Sequence, residues 1–403
     1  MRKRILLLQG PVGGYFRYLE RYLDEAGFDV RRLVFNGGDI IFSVGRPFEV
    51  VRPRTVTYEA AIEAIVHEWP ADAVILFGDE RPIHRAARSA AQHTGVPVFC
   101  FEEGYLRPDH VTFELGGNNA NSLVASAFDP ELTDEPLPPA PALENSTLAM
   151  ARAAMIYFGA LRLTHPLFPA YQHHRERRVR TEFRYWTRSL WRRMSARRHD
   201  EEFLARLTSD DHPPFFMVAL QVHDDLQLVQ HGRGWTARGF LAAVLASFRR
   251  AAPADCQLVV KAHPLDVGYG HHKKNLRYMV EDSGLGGRVI YLQSGPFMPI
   301  VRRARGLVTI NSTAGISALG DGIPVLALGD AFYLGEGLAH RPVSEEDFDS
   351  FWTAPRPVDP VKTSRFKEHV RRHALLPGSF YLRQTWPSMT EGVVARLKAV
   401  LGD

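Results

Sequence analysis

Three polar motifs in the second half of the chain each follow a short apolar run of the kind that forms a buried β-strand. The motifs are Gln221-Val-His-Asp-Asp-Leu-Gln227, Lys261-Ala-His-Pro264 and Asn311-Ser-Thr-Ala-Gly315, and the runs before them are Phe215–Leu220, Gln257–Val260 and Val308–Ile310. In an open sheet of parallel strands, ligands bind beyond the carboxyl ends of the strands. If these strands are parallel neighbours, the three motifs converge on one ligand site.

The residue types in these motifs suit a phosphorylated ligand. Asp225 can act as a base, or as a nucleophile toward an oxocarbenium-like carbon. His263 can donate a hydrogen bond to a phosphate oxygen, or protonate that oxygen as it departs. Ser312 and Thr313 supply hydroxyl donors, and a helix predicted to begin at Gly315 would turn its free backbone N–H groups toward an anion.

The remaining polar residues of the motifs complete the predicted site for the phosphorylated ligand. Gln221 and Gln227 can orient a sugar or the aspartate, and Lys261 and Asn311 stand at the same strand ends. Each motif alone has an ordinary structural explanation: a loop cap for His-Pro, a helix N-cap for Asn-Ser-Thr and a solvated loop for Asp-Asp. Their shared position after three strands favours a functional site.

Polar or glycine-rich clusters also follow the predicted strands of the first half: Gln9–Gly14, Asn36–Asp39, Gly78–Pro82 and Glu102–Tyr105. We expect this half to bind the acceptor of a group transfer. The candidate acceptor-binding residues are Gln9, Gly13, Asn36, Asp79, Arg81, His84, Glu102 and Arg107.

Several of these residues have a second explanation. The Gln9–Gly14 turn lacks the GxGxxG spacing of dinucleotide-binding proteins, so it indicates either a tight turn or a close backbone approach to the acceptor or to a donor phosphate. Arg81 and Arg107 can bind a phosphate group, but each can equally form a structural ion pair. Glu103 is a rival to Asp225 for the role of catalytic base.

The elements that position these motifs alternate between short apolar strands and helices from the N-terminus onward. The predicted strands include Ala73–Phe77, Gln257–Lys261 and Val289–Leu292, the predicted helices include Pro82–His93, and Ser364–Leu401 is predicted to be mainly helical. This alternation predicts an α/β protein with two Rossmann-like domains around a central cleft, a helical linker and C-terminal helices. A chain of 403 residues is also too long for one hydrophobic core. The predicted segments are 1–129 (acceptor domain), 130–210 (linker and basic helical segment), 211–345 (donor domain) and 346–403 (helical tail).

Composition excludes several other classes of protein. The two cysteines, Cys100 and Cys256, form neither a disulfide framework nor a zinc motif, and they fit a reducing cytoplasm. The N-terminal apolar run is too short for a signal peptide, and the most apolar helical segment, Leu148–Leu163, is interrupted by Arg152 and Arg162. We therefore expect a cytoplasmic protein whose contact with a membrane is peripheral.

A basic segment, Arg175–Arg198, contains ten arginines interleaved with aromatic residues and is predicted to be helical. A solvated helix between domains, a nucleic-acid patch and a surface for anionic lipid all explain this composition. If the acceptor is a lipid, the membrane interpretation is coherent and nucleic acid is not an expected partner. Neutralising Arg188, Arg192 and Arg193 should then weaken sedimentation with anionic vesicles.

The motifs taken together resemble a known group of enzymes. His-Pro after one strand and Ser/Thr before a helix are similar to the bacterial CMP-sugar transferases of GT-B architecture, and the pattern of Gln221, Asp225 and Gln227 resembles the capsule-polysaccharide Kdo transferases. From Gln9 to about His340, the chain resembles the KpsS-type capsule biosynthesis and export family. The first-half motifs that carry this resemblance are Gln9-Gly-Pro-Val-Gly13, Phe35-Asn-Gly-Gly-Asp39, Phe77-Gly-Asp-Glu-Arg-Pro-Ile-His84 and Phe101-Glu-Glu-Gly-Tyr-Leu-Arg-Pro108.

The resemblance implies a GT-B β-Kdo transferase that uses CMP-Kdo. The implied acceptor is a phosphatidylglycerol-type lipid, such as lyso-phosphatidylglycerol, and the product would start the poly-Kdo linker of a capsule. Retention of anomeric configuration is also implied, which assigns Asp225 as nucleophile and His263, Ser312 and Thr313 as ligands of the CMP phosphate. Asp224 is an alternative, because only one of two adjacent carboxylates would face the donor.

No metal or cofactor is expected beyond the donor substrate, because a histidine and helix amides can neutralise a departing monophosphate. The chain offers no convincing Asp-x-Asp metal pair, and the spacing of His263, His271 and His272 matches no known ligand set.

Two other function classes remain open. One is a capsule glycolipid assembly or export factor, which binds glycolipid without transferring sugar. Other capsule assembly proteins are candidate partners of the chain. The intact motifs around Asp225 and His263 argue against a dead enzyme. The other is a nucleotide-sugar epimerase of similar sheet architecture, which would share the strand-end histidine but would have no use for a basic aromatic docking segment.

Overall fold

The computed structural model describes residues 1–106, 108–131, 135–171, 173, 201–207, 209, 211–222, 226–263 and 272–402. Several residues singled out above therefore lie outside the described part of the chain: Arg107, the basic segment Arg175–Arg198, Asp224, Asp225 and His271.

The chain divides into two compact units. The first comprises residues 1–128, 134–174 and 368–403, and the second comprises residues 129–133 and 175–367. These units differ from the predicted segments in two places: residues 134–174 of the predicted linker belong to the first unit, and the predicted tail is divided between the two units at residue 368. The last helix packs its apolar side chains into the core of the first unit, so residues 368–402 are part of that unit and not a separate tail.

A seven-stranded sheet forms the centre of the first unit. Its strands are β1 (Arg4–Leu7), β2 (Asp29–Val34), β3 (Glu49–Val50), β4 (Ala73–Phe77), β5 (Val98–Glu103), β6 (His110–Leu115) and β12 (Leu375–Pro377). Strands β3-β2-β1-β4-β5 are parallel neighbours in the Rossmann order. Strand β6 pairs antiparallel with β5, and β12 pairs antiparallel with β6 at the edge.

Helices cover both faces of this sheet. They are α1 (Tyr15–Glu25), α2 (Gly37–Ile41), α3 (Tyr58–Glu68), α4 (Pro82–His93), α5 (Thr147–Leu163) and α14 (Trp386–Leu401). Alternate side chains of a strand point to opposite faces, so Ile5 and Leu7 enter the core shared with α1 and α14. Leu6 and Leu8 enter the second core, against α3 and α4.

The second unit is built on a five-stranded sheet. Its strands are β7 (Phe215–Ala219), β8 (Gln257–Lys261), β9 (Val289–Leu292), β10 (Leu307–Thr309) and β11 (Val325–Ala327). Their spatial order is β11-β10-β7-β8-β9 and every pair is parallel, which repeats the Rossmann order of the first unit. The predicted α/β architecture with two Rossmann-like units is therefore confirmed by the sheets.

The helices of the second unit pack around a core that centres on Trp352. They are α6 (residues 201–207), α7 (Leu226–His231), α8 (Ala237–Ala251), α9 (His272–Ser283), α10 (Phe297–Val301), α11 (Ala314–Gly320) and α12 (Glu345–Ser350), while α13 (Pro360–Ala374) contributes residues to both units. Trp352 is fully buried, and its indole N–H donates to Ser247 Oγ at 2.7 Å. No helix in the described part of the chain is long and apolar enough to cross a membrane.

Several element boundaries match the sequence predictions. Strands at Ala73–Phe77, Gln257–Lys261 and Val289–Leu292 and the helix at Pro82–His93 lie where they were expected. The tail Ser364–Leu401 was predicted to be mainly helical, and α13 and α14 account for most of it. The short strand β12 between them was not predicted, because it forms only by pairing with β6.

Candidate functional site

The strand order creates a switch point in each sheet, and ligands of Rossmann-like proteins bind beyond the strand ends at such points. In the second unit the switch point lies between β7 and β10, which lead into Gln221 and Asn311. In the first unit it lies between β1 and β4, which lead into Gln9 and Gly78. Predicted site residues therefore occur at both switch points.

Gln221 and Asn311 form a reciprocal pair across the second switch point. Gln221 Nε2 donates to Asn311 Oδ1 at 2.8 Å, and the Asn311 backbone N–H donates to Gln221 Oε1 at 3.1 Å. Asn311 Nδ2 also donates to the backbone carbonyl of Gln227 at 3.0 Å. Because Gln221 and Asn311 are both buried, these contacts fix the loops after β7 and β10 relative to each other.

The neighbouring strand β8 adds a positive charge to this edge. It ends at Lys261, a buried residue whose ammonium group donates to the carbonyl oxygen of Ala262 at 3.2 Å. His263 follows two residues later and is half-buried. An ammonium and an imidazole beside the switch point are suited to a phosphate ligand.

The segment after β10 leads into α11, which begins at Ala314, one residue before the predicted start. The carbonyl oxygen of Ser312 accepts hydrogen bonds from the Gly315 backbone and from the Tyr333 hydroxyl. A Cβ at Gly315 would lie 2.4 Å from Tyr333 Oη, so only glycine permits this close approach. The Thr313 hydroxyl makes no capping hydrogen bond to α11, so the helix does not use it.

The proposed nucleophile, Asp225, lies outside the described residues, and its role stays a prediction. What the structure describes are its two flanking positions, Gln221 and Gln227, which both contact Asn311.

In the first unit, a polar cluster gathers around the carboxylate of Asp39. Gln9 Nε2 lies 2.9 Å from both carboxylate oxygens and 3.0 Å from the Tyr171 hydroxyl. Asn36 caps α2 by accepting from the Asp39 backbone N–H and donates from Nδ2 to the Asp39 carboxylate. The Tyr157 hydroxyl, on α5, donates to Asp39 at 3.0 Å. Gln9 and Asn36, both predicted site residues, are therefore brought together.

Burial raises the pKa of Asp39 above its ordinary value, while hydrogen bonds from the Phe35 backbone, Gln9 and Tyr157 act in the opposite direction. Arg81 adds a positive charge, and its guanidinium donates to Gln9 Oε1 at 3.1 Å. A cavity of about 30 Å³ beside the cluster has room for a water molecule and not for a sugar. The cluster is therefore a positioning network at the edge of the sheet.

The predicted acceptor residue Asp79 belongs to an internal ion-pair network. Its carboxylate is fully buried, accepts from the Asn118 backbone and the Asn121 amide, and lies 3.3 Å from Arg88. The neighbouring Glu80 pairs with the same arginine and the same amide. Asp79, which was predicted to bind the acceptor, is therefore part of a structural ion pair.

His84 has a similar internal position. It is fully buried in α4, and its Nδ1 lies 2.8 Å from the carbonyl oxygen of Gly78. Burial, with the positive charge of Arg81, lowers the pKa of His84 to about 3. The imidazole is therefore neutral at physiological pH and fixes the turn after β4.

Glu102 and Glu103 stand at the end of β5, as predicted. Glu103 accepts a hydrogen bond from the Tyr381 hydroxyl at 3.3 Å, and burial raises the pKa of that tyrosine. The side chain of Glu102 turns back to accept from the Glu103 backbone N–H at 3.0 Å. Both carboxylates are half-buried and remain candidates for contact with an acceptor.

Gly13 adopts a backbone conformation with φ of 125°, which side chains rarely permit, so the glycine is required by the turn itself. A metal cluster of three or more His, Cys, Asp or Glu side chains does not occur among the residues that the structure describes. That no metal takes part stays a prediction.

A cavity of about 1260 Å³ in the second unit lies apart from the predicted donor residues. Its lining carries both signs of charge, and two of its cations are already paired, Arg341 with Asp330 and Arg356 with Asp347. The residue types at the strand ends fit a phosphorylated donor better than this mixed lining does.

The sequence of residues 72–381, more than half of the chain, matches the family described as capsule polysaccharide biosynthesis protein. The chain belongs to this capsule polysaccharide biosynthesis family. The capsule polysaccharide export protein KpsS of Escherichia coli is 32% identical over 370 residues, covering 91% of this chain and 94% of KpsS. The capsule polysaccharide modification protein LipB of Neisseria meningitidis serogroup B is 31% identical over 400 residues, covering 96% of this chain and 93% of LipB.

Among solved structures, KpsC of Thermosulfurimonas dismutans, a β-Kdo 2,7 transferase, is 12% identical, with a TM-score of 0.45. The alignment covers 98% of this chain and 99% of KpsC. A score of this size decides neither the fold nor the activity, so the fold of this capsule-family chain is judged from its own sheets.

Three residues of the first-unit cluster were not assigned to the site from the sequence: Asp39, Tyr157 and Tyr171. Asp39 stood within the Asn-Gly-Gly-Asp motif after β2, which was a usable signal. Tyr157 carried a weaker one, as a hydroxyl-bearing side chain inside an otherwise apolar helix. Nothing local marks Tyr171, which reaches Gln9 across 162 positions of sequence.

Proposed function

We propose that this capsule-family protein is a glycosyltransferase that moves Kdo from CMP-Kdo to a phosphatidylglycerol-type lipid and retains the anomeric configuration. The product would begin the poly-Kdo linker on which a capsule polysaccharide is built. The proposed location is the cytoplasmic side of the inner membrane, in peripheral contact with the lipid and in company with other capsule assembly proteins.

The supporting observation is the chemistry at the switch point of the second sheet. Lys261 ends β8 and His263 follows it, while Thr313 follows β10, with β7 between these two strands. Two nitrogen groups and a hydroxyl at one edge suit the single phosphate of a CMP-sugar. The identity of the sugar is inferred from the family resemblance of the Gln221, Asp225 and Gln227 pattern.

In the proposed reaction, the bond between the anomeric carbon and the phosphate oxygen breaks, and CMP leaves with the electron pair. His263 and Thr313 hydrogen-bond the phosphate as its negative charge grows, which stabilises the departing group more than the intact donor. Asp225 attacks the anomeric carbon from the opposite side and forms a glycosyl-enzyme. An acceptor hydroxyl then displaces Asp225 and passes its proton to a base, so two inversions give net retention.

On the acceptor side, the proposal relies on Arg81, Glu102 and Glu103, together with Arg107, which lies outside the described residues. Arg81 is half-buried beside Gln9, a position suited to holding a phosphate head group. Glu103 is the rival candidate for the base. The proposal does not assign Asp79 or His84 to the acceptor, because both side chains are fully buried.

The test is incubation of the purified protein with CMP-Kdo and a fluorescent lyso-phosphatidylglycerol, with product mass and anomeric configuration as readouts. We expect one Kdo or more to be added. His263→Ala should lower kcat by about 10²- to 10³-fold, the range for loss of one hydrogen-bond donor to a developing negative charge. Thr313→Val should chiefly weaken donor binding, and Asp225→Ala should abolish turnover.

The matched control is His212→Ala. His212 is a half-buried histidine, as His263 is, and it precedes β7, at the opposite end of the strand from the candidate site. Its replacement should leave turnover unchanged. A folded protein that adds no Kdo would contradict the proposed activity. An active Asp225→Ala variant together with an inactive Glu103→Ala variant would contradict the assignment of the nucleophile.

The second candidate function is a non-catalytic glycolipid assembly or export factor. The E. coli relative is named a capsule polysaccharide export protein, and this name supports an assembly or export function as the alternative. The two functions differ in one measurement: a binding factor should retain the glycolipid without consuming CMP-Kdo, whereas a transferase should release CMP in proportion to product.

A further inference from the structure

Helix α5 is the most apolar exposed element of the described chain that the proposed function does not use. Of its 17 residues, only Tyr157 is buried. Large apolar side chains face solvent instead: Leu148 is 81% exposed, Met155 is 69% exposed and Leu163 is 83% exposed. A helix normally turns such residues toward a core, so this face calls for an external partner.

The helix is nevertheless firmly attached on its other side. Tyr157 enters the polar cluster around Asp39, where its hydroxyl donates to the carboxylate at 3.0 Å. Two glycines at the start of α2 allow a close approach: a Cβ on Gly38 would lie 2.7 Å from the Tyr157 ring, and one on Gly37 would lie 2.0 Å from Thr164. The exposed face of α5 is therefore presented in a fixed orientation.

The exposed side chains of α5 share one arc of the helix. At 100° per residue, the arc of about 160° opposite Tyr157 contains Leu148, Met155, Ile156, Phe158 and Leu163. The arc also carries Arg152 and Arg162, both exposed, and the helix contains no acidic residue. Apolar side chains with arginines and no carboxylate suit contact with an anionic bilayer, because arginine can lay its apolar stem among the apolar side chains and extend its charge to the phosphates.

Helix α5 packs against α2, and the loop that follows α2 lines a second surface feature, a pocket rich in arginine. Val44, 58% exposed, stands at the rim of a pocket of about 370 Å³ lined by four arginines and two aromatic residues. The lining cations and aromatics are Arg17, Arg21, Arg46, Arg383, Tyr18 and Trp386. Within the described part of the chain, neither Arg17 nor Arg383 has an acidic partner, and the pocket lining contains no carboxylate.

We propose that the exposed face of α5, together with this arginine pocket, is the surface through which the protein docks on an anionic lipid bilayer. The apolar side chains enter the boundary between head groups and acyl chains. The arginines bind lipid phosphates, Arg152 and Arg162 by extending along their apolar stems. This inference goes beyond the proposed function, because it concerns a surface and does not depend on sugar transfer.

Charge complementarity favours an anionic lipid surface over a second copy of the chain. A second copy would set Arg152 and Arg162 against themselves, with no carboxylate on the helix to neutralise them. An acidic bilayer supplies many phosphates at no fixed geometry, which suits arginines distributed over a helix and a separate pocket.

The experiment is co-sedimentation of the full chain with vesicles of phosphatidylcholine alone or mixed with phosphatidylglycerol. The variant Leu148→Glu/Met155→Glu places two negative charges in the arc, and Val343→Glu/Val361→Glu makes the same change at two exposed valines of the second unit. We expect the α5 variant to lose roughly tenfold or more in vesicle partition coefficient, which corresponds to about 1.4 kcal/mol, and the control to bind like the wild type. Arg17→Gln/Arg383→Gln should weaken binding only when phosphatidylglycerol is present.

Urea-induced unfolding of the α5 variant is the readout that separates loss of docking from loss of the fold. Loss of vesicle binding by the α5 variant with an unchanged unfolding transition supports the proposal. The proposal would be overturned if the wild-type chain did not bind anionic vesicles, or if the α5 variant bound them as the wild type does. It would also be overturned if the sedimentation coefficients showed that the wild type is a dimer and the α5 variant a monomer. Loss of binding confined to variants of Arg188, Arg192 and Arg193 would move the docking surface away from α5.

Discussion

Replacing His84 with asparagine tests whether this predicted acceptor ligand is an internal structural residue. Asparagine can keep the hydrogen bond to the Gly78 carbonyl, which His84 makes through Nδ1 at 2.8 Å. What the replacement removes is a group that takes up a proton in the unfolded chain and, because of its burial, does not do so in the folded protein.

The size of the effect follows from the pKa of His84, which burial lowers to about 3. An ordinary histidine has a pKa of about 6.5, so between pH 6.5 and 3 the unfolded chain binds a proton that the folded chain excludes. The resulting stabilisation is fully present above pH 6.5 and is lost as the pH falls toward 3. Between pH 7 and pH 5 this single residue removes about 2 kcal/mol of the free energy of unfolding.

The assay is urea-induced unfolding of wild type and His84→Asn at pH 7 and pH 5, followed by circular dichroism and tryptophan fluorescence. We expect the variant to lose about 2 kcal/mol less than the wild type between these pH values, because its contribution does not titrate. His93→Asn is the matched control, since His93 is an exposed histidine on the same helix that also contacts a backbone carbonyl.

An equal loss of stability in wild type and His84→Asn would refute the internal role and return His84 to the acceptor candidates. So would an unfolding profile that His93→Asn changes as much as His84→Asn does. If asparagine prevents folding, His84→Gln offers a second amide of different length for the same comparison.

Three further predictions concern other parts of the fold. Gly38→Ala should destabilise the first unit by about 1–3 kcal/mol, because the new methyl group meets the ring of the buried α5 tyrosine, whereas Gly159→Ala, in open space on α5, should be neutral or stabilising by urea unfolding. Burial raises the pKa of Glu114 to about 7, so the protonated carboxyl contributes stability that is fully present below about pH 4.5 and is lost as the pH rises to 7. Glu114→Gln should therefore flatten the dependence of the free energy of unfolding on pH between 4.5 and 7. Gly315→Ala should weaken CMP binding, measured by calorimetry, because its Cβ would displace Tyr333 and the loop after β10.

Much of the fold could be predicted because buried parallel strands appear in a sequence as continuous apolar runs. Ala73–Phe77 is fully buried along its length and was assigned without error. Strand β12 could not be found in the same way. It is three residues long, and its backbone pairs with β6, more than 250 positions earlier, so no local signal defines it.

The sequence predicted where the candidate site residues lie in the fold, but not what each of them contacts. Gln221, Asn311 and Gln9 lie after strand ends, as expected, and the first two are hydrogen-bonded to each other, while their part in a ligand site stays a prediction. The sequence of the Asp79 region is equally compatible with an exposed ligand site and a buried network. Only tertiary packing decides between them, because burial depends on residues such as Asn118 that are remote in sequence.

The single side chain of Asn311 holds both Gln221 and the backbone of Gln227. A relative that replaced Asn311 with a residue lacking an amide would leave the buried amide of Gln221 unpaired, at a cost of about 1–3 kcal/mol. Positions 221 and 311 should therefore change together during the divergence of the family, whereas Thr313, which has no such tie, can change alone. A change at Thr313 would then alter which ligand is preferred, while the hydrogen-bonded pair of Gln221 and Asn311 and the sheet beneath it stay the same.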